Sequence, residues 1–297
     1  MGPGAVGTVP GGYDQPMTTL ASGSDRLHAT AADATAADAI DSERAALARL
    51  YDVDLLEDPG DVDLYLALAR RTAGPILELA CGSGRLAIPL AAAGHAVTGV
   101  DLDPAMLDRA RRAAGAAALA AGGGLHLVEA DLVDLRLAEA GTYRLAFIGL
   151  NSLFLLASRD RQRAALETLA RHLAPGGLAV VDVWQPDAED LARFDGRVML
   201  EYARTDPETG NLVVKTSSAQ YDPTSQVVEL TTRYEEGRAG EAPVRWLRTD
   251  RLRLISADEL TGLAGDVGLQ LETLAGTYNL EPIGSAGDRA ILLAVRG

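Results

Sequence analysis

The sequence predicts an α/β fold, in which helices cover a mostly parallel sheet and an antiparallel sheet is inserted after the fifth strand. Short apolar runs alternate with helical spacing between residues 76 and 184, a pattern typical of βαβ units. Strand-like runs separated by short turn signals follow at 197–256, a pattern typical of an antiparallel meander. A helical pattern and two strand-like runs then resume the α/β pattern.

The chain begins with a segment of low apolar content. Residues 1–40 are rich in Gly, Pro, Ala, Thr and Asp, and a segment that buries so little cannot offset its ordering entropy. We predict that it is disordered, with an Ala-rich part compatible with a marginal helix. Residues 41–71 have helical spacing and predict two helices. The predicted organisation is therefore a main domain, 41–196 and 257–297, with an inserted sheet, 197–256.

The first strand, Ile76–Ala80, leads into a loop of small residues and then a helix that ends near Ala93. The second strand, Ala96–Val100, precedes a helix that starts at Pro104, where the missing proline N–H costs nothing. The other predicted elements are strands at 125–129, 144–150 and 178–184, a helix at 159–173 ended by Ala174-Pro175-Gly176-Gly177, a helix capped by Ser256 that runs to 267, and strands at 269–274 and 290–295.

Composition narrows the class of partner. The formal net charge is −15, and such a chain repels phosphate backbones, so no nucleic acid partner is predicted. No apolar run is long enough to span a bilayer and no signal-peptide pattern is present, so a cytoplasmic protein without a membrane partner is expected. Cys81 is the single cysteine, which excludes a disulfide framework, and no metal-ligand spacing is found.

The loop after the first strand predicts a ligand site. Gly82 and Gly84 leave room for a ligand, and free amide N–H groups at the start of a helix can bind it. Asp101 follows the second strand, nineteen residues after Gly82, where an acid can accept two hydrogen bonds from a ribose diol. The pattern Gly82-x-Gly84-x-x-Ala87 also fits the dinucleotide fingerprint, so a nucleoside-containing ligand of either class remains open.

Further features discriminate between these ligands. Glu78 lies inside the first strand, where dinucleotide folds usually keep an apolar residue, and Asp131 follows the third strand. The segments 78–84, 99–107, 130–132 and 173–177, in this order and spacing, resemble the class I S-adenosylmethionine-dependent methyltransferases. The resemblance covers residues 76–184 and, weakly, the last two strands. An acid-lined pocket suits a sulfonium cation with an ammonium group better than a pyrophosphate.

This resemblance implies a seven-stranded Rossmann-like sheet and S-adenosylmethionine as cofactor. It implies that Glu78 orients the amino end, Asp101 binds the ribose hydroxyls and Asp131 accepts the adenine amino hydrogens. Arg85 has two alternatives, the cofactor carboxylate or a solvent-facing position in the first turn. The other positions that the resemblance places at the cofactor are Ala80, Gly82, Gly84, Leu102, Met106, Leu132 and Leu150.

Methyl transfer is an in-line displacement that requires alignment and exclusion of water. None of the histidines is predicted at the C-terminal end of a strand, where this fold places its chemistry, so the catalytic group is unknown. We expect an amine or acidic substrate, or a base drawn from Asp, Glu or Tyr. The candidates near the pocket are Tyr51, Tyr65, Asn151, Ser152, Asp182, Trp184 and Gln185.

The first interpretation is therefore methyl transfer to an O or N atom of a small molecule, such as a secondary metabolite. The alternatives are a non-methylating enzyme of the same fold that binds S-adenosylmethionine, an NAD-dependent oxidoreductase, and a binding module without turnover. The inserted sheet is expected to cover the substrate or to pair subunits in a homodimer. Four arginines on its last strand favour a solvated face or dimer contact over an acidic substrate: Arg245, Arg248, Arg251 and Arg253.

Overall fold

The computed structural model describes residues 31–117, 124–238, 240–284 and 287–297. The strands are β1 Ile76–Leu79, β2 Ala96–Asp101, β3 Gly124–Glu129, β4 Tyr143–Ile148, β5 Leu173–Trp184, β6 Asp195–Thr205, β7 Leu212–Asp222, β8 Val227–Gly237, β9 Val244–Arg253, β10 Leu269–Ala275 and β11 Arg289–Arg296. The helices are α1 Ala31–Asp54, α2 Val62–Thr72, α3 Ala87–Ala92, α4 Pro104–Ala116, α5 Arg159–His172, α6 Ala188–Arg193 and α7 Ala257–Asp266.

The main sheet has the strand order β10-β11-β5-β4-β1-β2-β3. Strands β1 to β5 are parallel, and β11 runs antiparallel to both β5 and β10. β1 lies between β2 and β4 and is buried at all four positions, as expected for a strand covered on both faces. The predicted seven-stranded α/β fold with an antiparallel insertion is confirmed. Because β1, β2, β4 and β5 are parallel, the loops that follow them meet at one edge of the sheet.

Local capping chemistry explains where three of the helices begin. The Asp103 side chain accepts a hydrogen bond from the Ala105 amide at 2.9 Å, with Pro104 as the first helical residue of α4. Ser158 and Ser256 cap α5 and α7 in the same way, each accepting an amide three residues ahead. These caps satisfy N–H groups that the first turn leaves free, and they fix the helix starts near the predicted positions.

The antiparallel sheet joins β6, β7, β8 and β9 in chain order. Its inward side chains include Val213, Val228 and Tyr234, which are buried, whereas Arg245 and Leu247 on β9 face outward and are exposed. This two-residue alternation is what a sheet with one covered face requires. The sheet belongs to the compact unit formed by residues 41–297.

Some elements differ from the sequence-based prediction. Helix α1 begins at Ala31, inside the segment predicted to be disordered up to residue 40, since alanine has the highest helix propensity. Residues 1–30 lie outside the described residues. A 3-10 helix at Ser152–Leu156 and the short α6, capped by Asp187, were not predicted because each offers too few residues for a periodic pattern. No helix in the described part of the chain is long and apolar enough to cross a membrane.

Candidate active site

The loop after β1 turns sharply at small residues. Ala80, Gly82 and Gly84 have φ values of 60°, 54° and 85°, the left-handed region that favours glycine. A Cβ atom on Gly84 would lie 3.0 Å from Ile88 Cδ1 and 3.3 Å from Ala110 Cβ, so glycine lets the loop approach α3 and α4. The backbone amide of Cys81 donates to the Val100 carbonyl at 3.0 Å and fastens the loop to β2.

Asp101 at the end of β2 is bonded directly to this loop. One carboxylate oxygen accepts the Gly82 amide at 2.8 Å and the other accepts the Asp103 amide at 2.9 Å. Burial raises the pKa of Asp101, and the amides of Asp103 and Gly82 oppose that rise. The structure therefore brings together the acid and the loop that the sequence predicts as one nucleoside site.

Glu78 lies beneath the loop with 4% of its surface exposed. Its Oε2 atom is buried and has no hydrogen-bond partner within the described residues. Burial raises the pKa of Glu78 well above its ordinary value, although the Arg85 charge acts in the opposite direction. An ammonium group would supply the missing donor and compensate the buried charge, whereas a pyrophosphate would be repelled. The residues present thus fit the methionine end of S-adenosylmethionine.

Arg85 pairs with a buried acid, and its predicted contact with the cofactor carboxylate stays a prediction. Its guanidinium forms two hydrogen bonds with Asp61, at 2.5 and 2.7 Å, and the Asp61 side chain is fully buried. A planar guanidinium matches a carboxylate in this two-bonded geometry, so the pair ties the loop to the start of α2. Asp61 lies twenty-four residues before Arg85, and no local pattern connects them.

The predicted adenine end is more open. Asp131 accepts the Val133 amide at 3.0 Å and Arg161 Nη2 at 2.9 Å. Burial would raise the pKa of Asp131, but these two donors outweigh it and the pKa is lowered. Leu132 is nearly buried, whereas Leu102 is 62% exposed. A fourth predicted residue, Met106, is partly buried on α4, and the contacts of these four residues with adenine remain predictions.

Helix α1 covers the loop at 80–84 that follows β1, called the glycine loop below. A Cβ atom on Gly82 would lie 3.8 Å from Tyr51 Cε1, and the next residue, Asp52, accepts Ser83 Oγ at 2.6 Å. Burial raises the pKa of Tyr51 to about 12, partly offset by the Arg85 charge, so its hydroxyl stays neutral at physiological pH. Helix α1 therefore forms a wall beside the glycine loop.

Helix α1 also binds the antiparallel sheet. Asp54 accepts hydrogen bonds from Lys215 Nζ at 2.8 Å, Tyr202 Oη at 2.6 Å and Tyr234 Oη at 2.9 Å. Arg49 forms ion pairs with two further carboxylates, from Asp206 and Glu236. One helix thus connects the loop at β1 with the inner face of the inserted sheet.

A cavity of about 400 Å³ lies between α1, the ends of β4 and β5, and the inner face of the antiparallel sheet. The lining residues Tyr51 and Leu150 lie on the side of the cavity next to the glycine loop. Four of the predicted catalytic candidates line it, and three do not. Its lining comprises Tyr51, Asp54, Leu150, Asn151, Ser152, Phe154, Leu155, Trp184, Phe194, Glu201, Lys215, Ser217, Ala219, Val228, Leu230, Thr232, Tyr234, Arg248, Asp250, Leu252 and Leu254.

The three remaining candidates lie behind the cavity wall. Tyr65 is fully buried, packs on Phe147 with ring centroids 4.4 Å apart, and keeps its hydroxyl unpartnered within residues 31–117, 124–238, 240–284 and 287–297. Asp182 is fully buried beneath the loop after β4. The Gln185 side chain bonds the backbone of 255–257, at the point where the chain returns from the antiparallel sheet.

The arginines of β9 do not act as one cluster. Arg245 and Arg251 are exposed beside glutamates of β8, and Arg248 faces the cavity, paired with Asp250 at 2.7 Å. Arg253 is buried at the strand end and bonds Gln162, Gln226 and Glu259. The cavity is also lined by residues that were not predicted, Lys215, Thr232 and Asp250, although alternation along a strand indicates which residues share a face.

The family model described as a methyltransferase domain matches residues 76–177, from the start of β1 into β5. This segment therefore matches a methyltransferase domain, in agreement with the predicted resemblance to the class I S-adenosylmethionine-dependent methyltransferases. The predicted family and its cofactor, S-adenosylmethionine, are thereby confirmed. The matched segment contains the glycine loop, Asp101 and Asp131, but the inserted sheet lies outside it.

Similar proteins include the cypemycin N-terminal methyltransferase of a Streptomyces species, 31% identical over 122 residues. That alignment covers 41% of this chain and 46% of the relative, so the chain spans less than half of its length. Among solved structures, CcbJ methyltransferase from Streptomyces caelestis has a TM-score of 0.67 at 24% identity, covering 80% of this chain and 96% of that one. The sugar N-methyltransferase KedS8 from Streptoalloteichus has a TM-score of 0.64 at 20% identity, covering 95% and 98%. At these identities the two structures show a shared fold.

Proposed function

We propose that this methyltransferase transfers a methyl group to an amine nitrogen of a small molecule, in keeping with a secondary metabolite as acceptor. The observation that carries the proposal is the cavity of about 400 Å³ between the glycine loop and the inserted sheet. Its size suits a small acceptor, and its position beside Tyr51 and Leu150 supports an acceptor site next to the glycine loop.

The charges around the cavity favour a cationic or amine acceptor. Lys215 is paired with Asp54 and Arg248 with Asp250. Glu201 at the rim bonds only the Ser217 hydroxyl among the described residues, so the charge left without an opposite partner is negative. An acceptor that arrives as an ammonium ion is attracted to such a rim, and an anionic acceptor is not.

The cavity offers neither a histidine nor an ionised tyrosine as a base in the described part of the chain. No histidine lines it there, and the tyrosines Tyr51 and Tyr234 have raised pKa values, first through burial, so they stay protonated. An alcohol acceptor needs a base to release its proton, whereas an ammonium ion that has lost its proton to solvent is a neutral amine and already a nucleophile. This difference supports nitrogen over oxygen as the acceptor atom.

The comparisons point the same way. The cypemycin enzyme is named for an N-terminal acceptor and KedS8 for a sugar nitrogen. S-adenosylmethionine, when bound, supplies a methyl group already activated on a sulfonium. The chain's own residues would hold the donor at Glu78 and Asp101, line the acceptor side with Leu150 and Asn151, and exclude water with α1.

The test is to incubate the protein with S-adenosylmethionine carrying a deuterated methyl group and a panel of acceptors. The panel contains an amino sugar, a short peptide with a free N-terminus, and the hydroxyl analogue of each. We expect labelled methyl on nitrogen, with stoichiometric S-adenosylhomocysteine, and no label on the hydroxyl analogues. Label on oxygen alone would refute the amine assignment.

The same experiment separates the alternatives from the proposal. Tight binding of S-adenosylhomocysteine without product from any acceptor would favour a non-methylating enzyme or a binding module. Binding of NAD without binding of S-adenosylmethionine would favour an oxidoreductase. A cytoplasmic location, the absence of a nucleic-acid partner and a homodimer stay predictions; sedimentation at several protein concentrations tests the last.

A further inference from the structure

Two consecutive residues in the loop after β4 have an unusual backbone conformation. Leu150 and Asn151 have φ values of 44° and 67°, and neither is glycine. L-residues rarely occupy this left-handed region, and two in succession persist only where the surrounding structure holds them. Both residues line the cavity, so the turn they form is part of the acceptor wall.

The turn is fastened to β5 by three hydrogen bonds. Asp182 Oδ2 accepts the Leu150 amide at 3.3 Å, and the Asp182 carbonyl accepts the Asn151 amide at 3.0 Å. The Asn151 side chain completes the set, because its Oδ1 accepts the Trp184 amide at 2.6 Å. Asp182 is therefore the principal anchor of the turn.

The anchor is itself held by the C-terminal part of the chain. Arg289 Nε donates to Asp182 Oδ1 at 2.6 Å, and Tyr278 Oη donates to Asp182 Oδ2 at 3.0 Å. Arg289 Nη2 also donates to Asn151 Oδ1 at 3.1 Å, so one guanidinium contacts both the anchor and the turn. Its side chain is 12% exposed and lies 5.2 Å from the centre of the Tyr278 ring.

We propose that the Asp182–Arg289 ion pair positions the Leu150–Asn151 turn and thereby sets where the acceptor lies relative to the methyl donor. The proposal rests on the proposed function. Neither Asp182 nor Arg289 is among the cavity-lining residues of the described chain, so both are positioning residues that act through the turn. A misplaced acceptor lowers kcat because the reacting atoms must be aligned, even where the donor site is intact.

The main test is the double variant Asp182→Leu with Arg289→Met. It removes both charges together, so no unpaired charge stays buried, and such apolar replacements are often neutral for stability. We expect S-adenosylhomocysteine to bind within about 3-fold of the wild type by calorimetry. Hydrogen–deuterium exchange at Leu150 and Asn151 should become at least 10-fold faster, and kcat should fall at least 10-fold. A 10-fold change corresponds to about 1.4 kcal/mol.

A conservative variant carries the test if the double variant does not fold. Arg289→Lys keeps the charge but loses the planar guanidinium whose nitrogens donate to both Asp182 and Asn151. We therefore expect a fall in kcat that is smaller than in the double variant. Arg296→Lys is the matched control, since Arg296 is on the same strand and bonds the Leu173 carbonyl at the opposite end of β5. It should leave both exchange at the turn and kcat unchanged.

A folded double variant with wild-type exchange at the turn, or with wild-type kcat, would overturn the proposal. Loss of S-adenosylhomocysteine binding equal to the loss of kcat would also overturn it, because the pair would then support the donor site. A wild-type protein that gives no product with any acceptor refutes the proposed function instead. In that case exchange at Leu150 and Asn151 still decides whether the pair holds the turn.

Discussion

Replacing Glu78 tests the donor site most directly. Its Oε2 atom is buried and unpartnered in the residues that the structure describes, which leaves one charge-assisted hydrogen bond available for an ammonium group. Such a bond contributes about 1.5–3 kcal/mol, and each 1.4 kcal/mol is a factor of about ten in affinity. We therefore expect Glu78→Gln to weaken S-adenosylhomocysteine binding by roughly 10- to 140-fold.

Calorimetry with two ligands separates this effect from general damage. S-adenosylhomocysteine contains the ammonium group, whereas adenosine lacks the amino-acid part and should bind the variant as it binds the wild type. Glu272→Gln is the matched control. Glu272 lies on the outer strand β10, and its partly exposed carboxylate pairs with Arg71 of α2. If S-adenosylhomocysteine affinity changes less than about 3-fold, or if adenosine affinity falls equally, Glu78 does not bind the amino end.

The same variant has a defined effect on stability against pH. Burial raises the pKa of Glu78 in the folded state, and Arg85 only partly opposes it. The native state therefore keeps a proton that the unfolded chain releases, so stability falls as pH rises above the ordinary carboxyl range. Glutamine does not titrate. In urea unfolding without ligand, the stability of Glu78→Gln relative to the wild type should increase from mildly acidic to mildly alkaline pH, and a constant difference would contradict the assigned shift.

Three further substitutions probe other parts of the site. Asp101→Asn should weaken both S-adenosylhomocysteine and adenosine at least about 10-fold by calorimetry, because an amide cannot accept both amides that Asp101 accepts; unchanged adenosine affinity would exclude a ribose role. Ala219→Trp should fill the cavity and abolish methyl transfer with donor binding retained, whereas Thr249→Trp on the outer face should be active. Tyr51→Phe should keep the pH–rate profile of the wild type, because the pKa of Tyr51 is about 12; a displaced limb would show that Tyr51 titrates in the reaction.

The donor side of the molecule is predictable from sequence because its determinants are local. Gly82 follows β1 and Asp101 is the last residue of β2, its parallel neighbour, so the strand ends bring them together without any long-range information. The start of α4 is equally local, since Asp103 caps the helix and Pro104 fits its first turn. These features depend on a few adjacent residues whose roles are the same in any surrounding fold.

The acceptor side could not be predicted in the same way. Alternation along β7 and β9 predicts that Lys215 and Arg248 lie on the same sheet face as the residues two positions away in their strands. It does not predict that α1 and the end of β5 cover that face. Arg85 bonds Asp61, twenty-four residues away in sequence, and one of the partners of Arg253 is Gln162, ninety-one residues away. Tyr65 was predicted to lie near the pocket, yet only packing shows that its ring lies against Phe147 and outside the cavity.

Gln185 has a consequence for how acceptor choice can change. Its side chain donates to the Ile255 carbonyl and accepts the Ala257 amide, both at 3.0 Å, so the chain leaves and re-enters the α/β domain at one place. Closely spaced junctions are where whole segments can be exchanged without rerouting a domain. The inserted sheet between these junctions can therefore be exchanged as one segment, provided that the replacement also keeps partners for Asp54 and Arg49. Under the proposed function, a library of such segments on one unchanged donor domain would vary the surface that faces the acceptor.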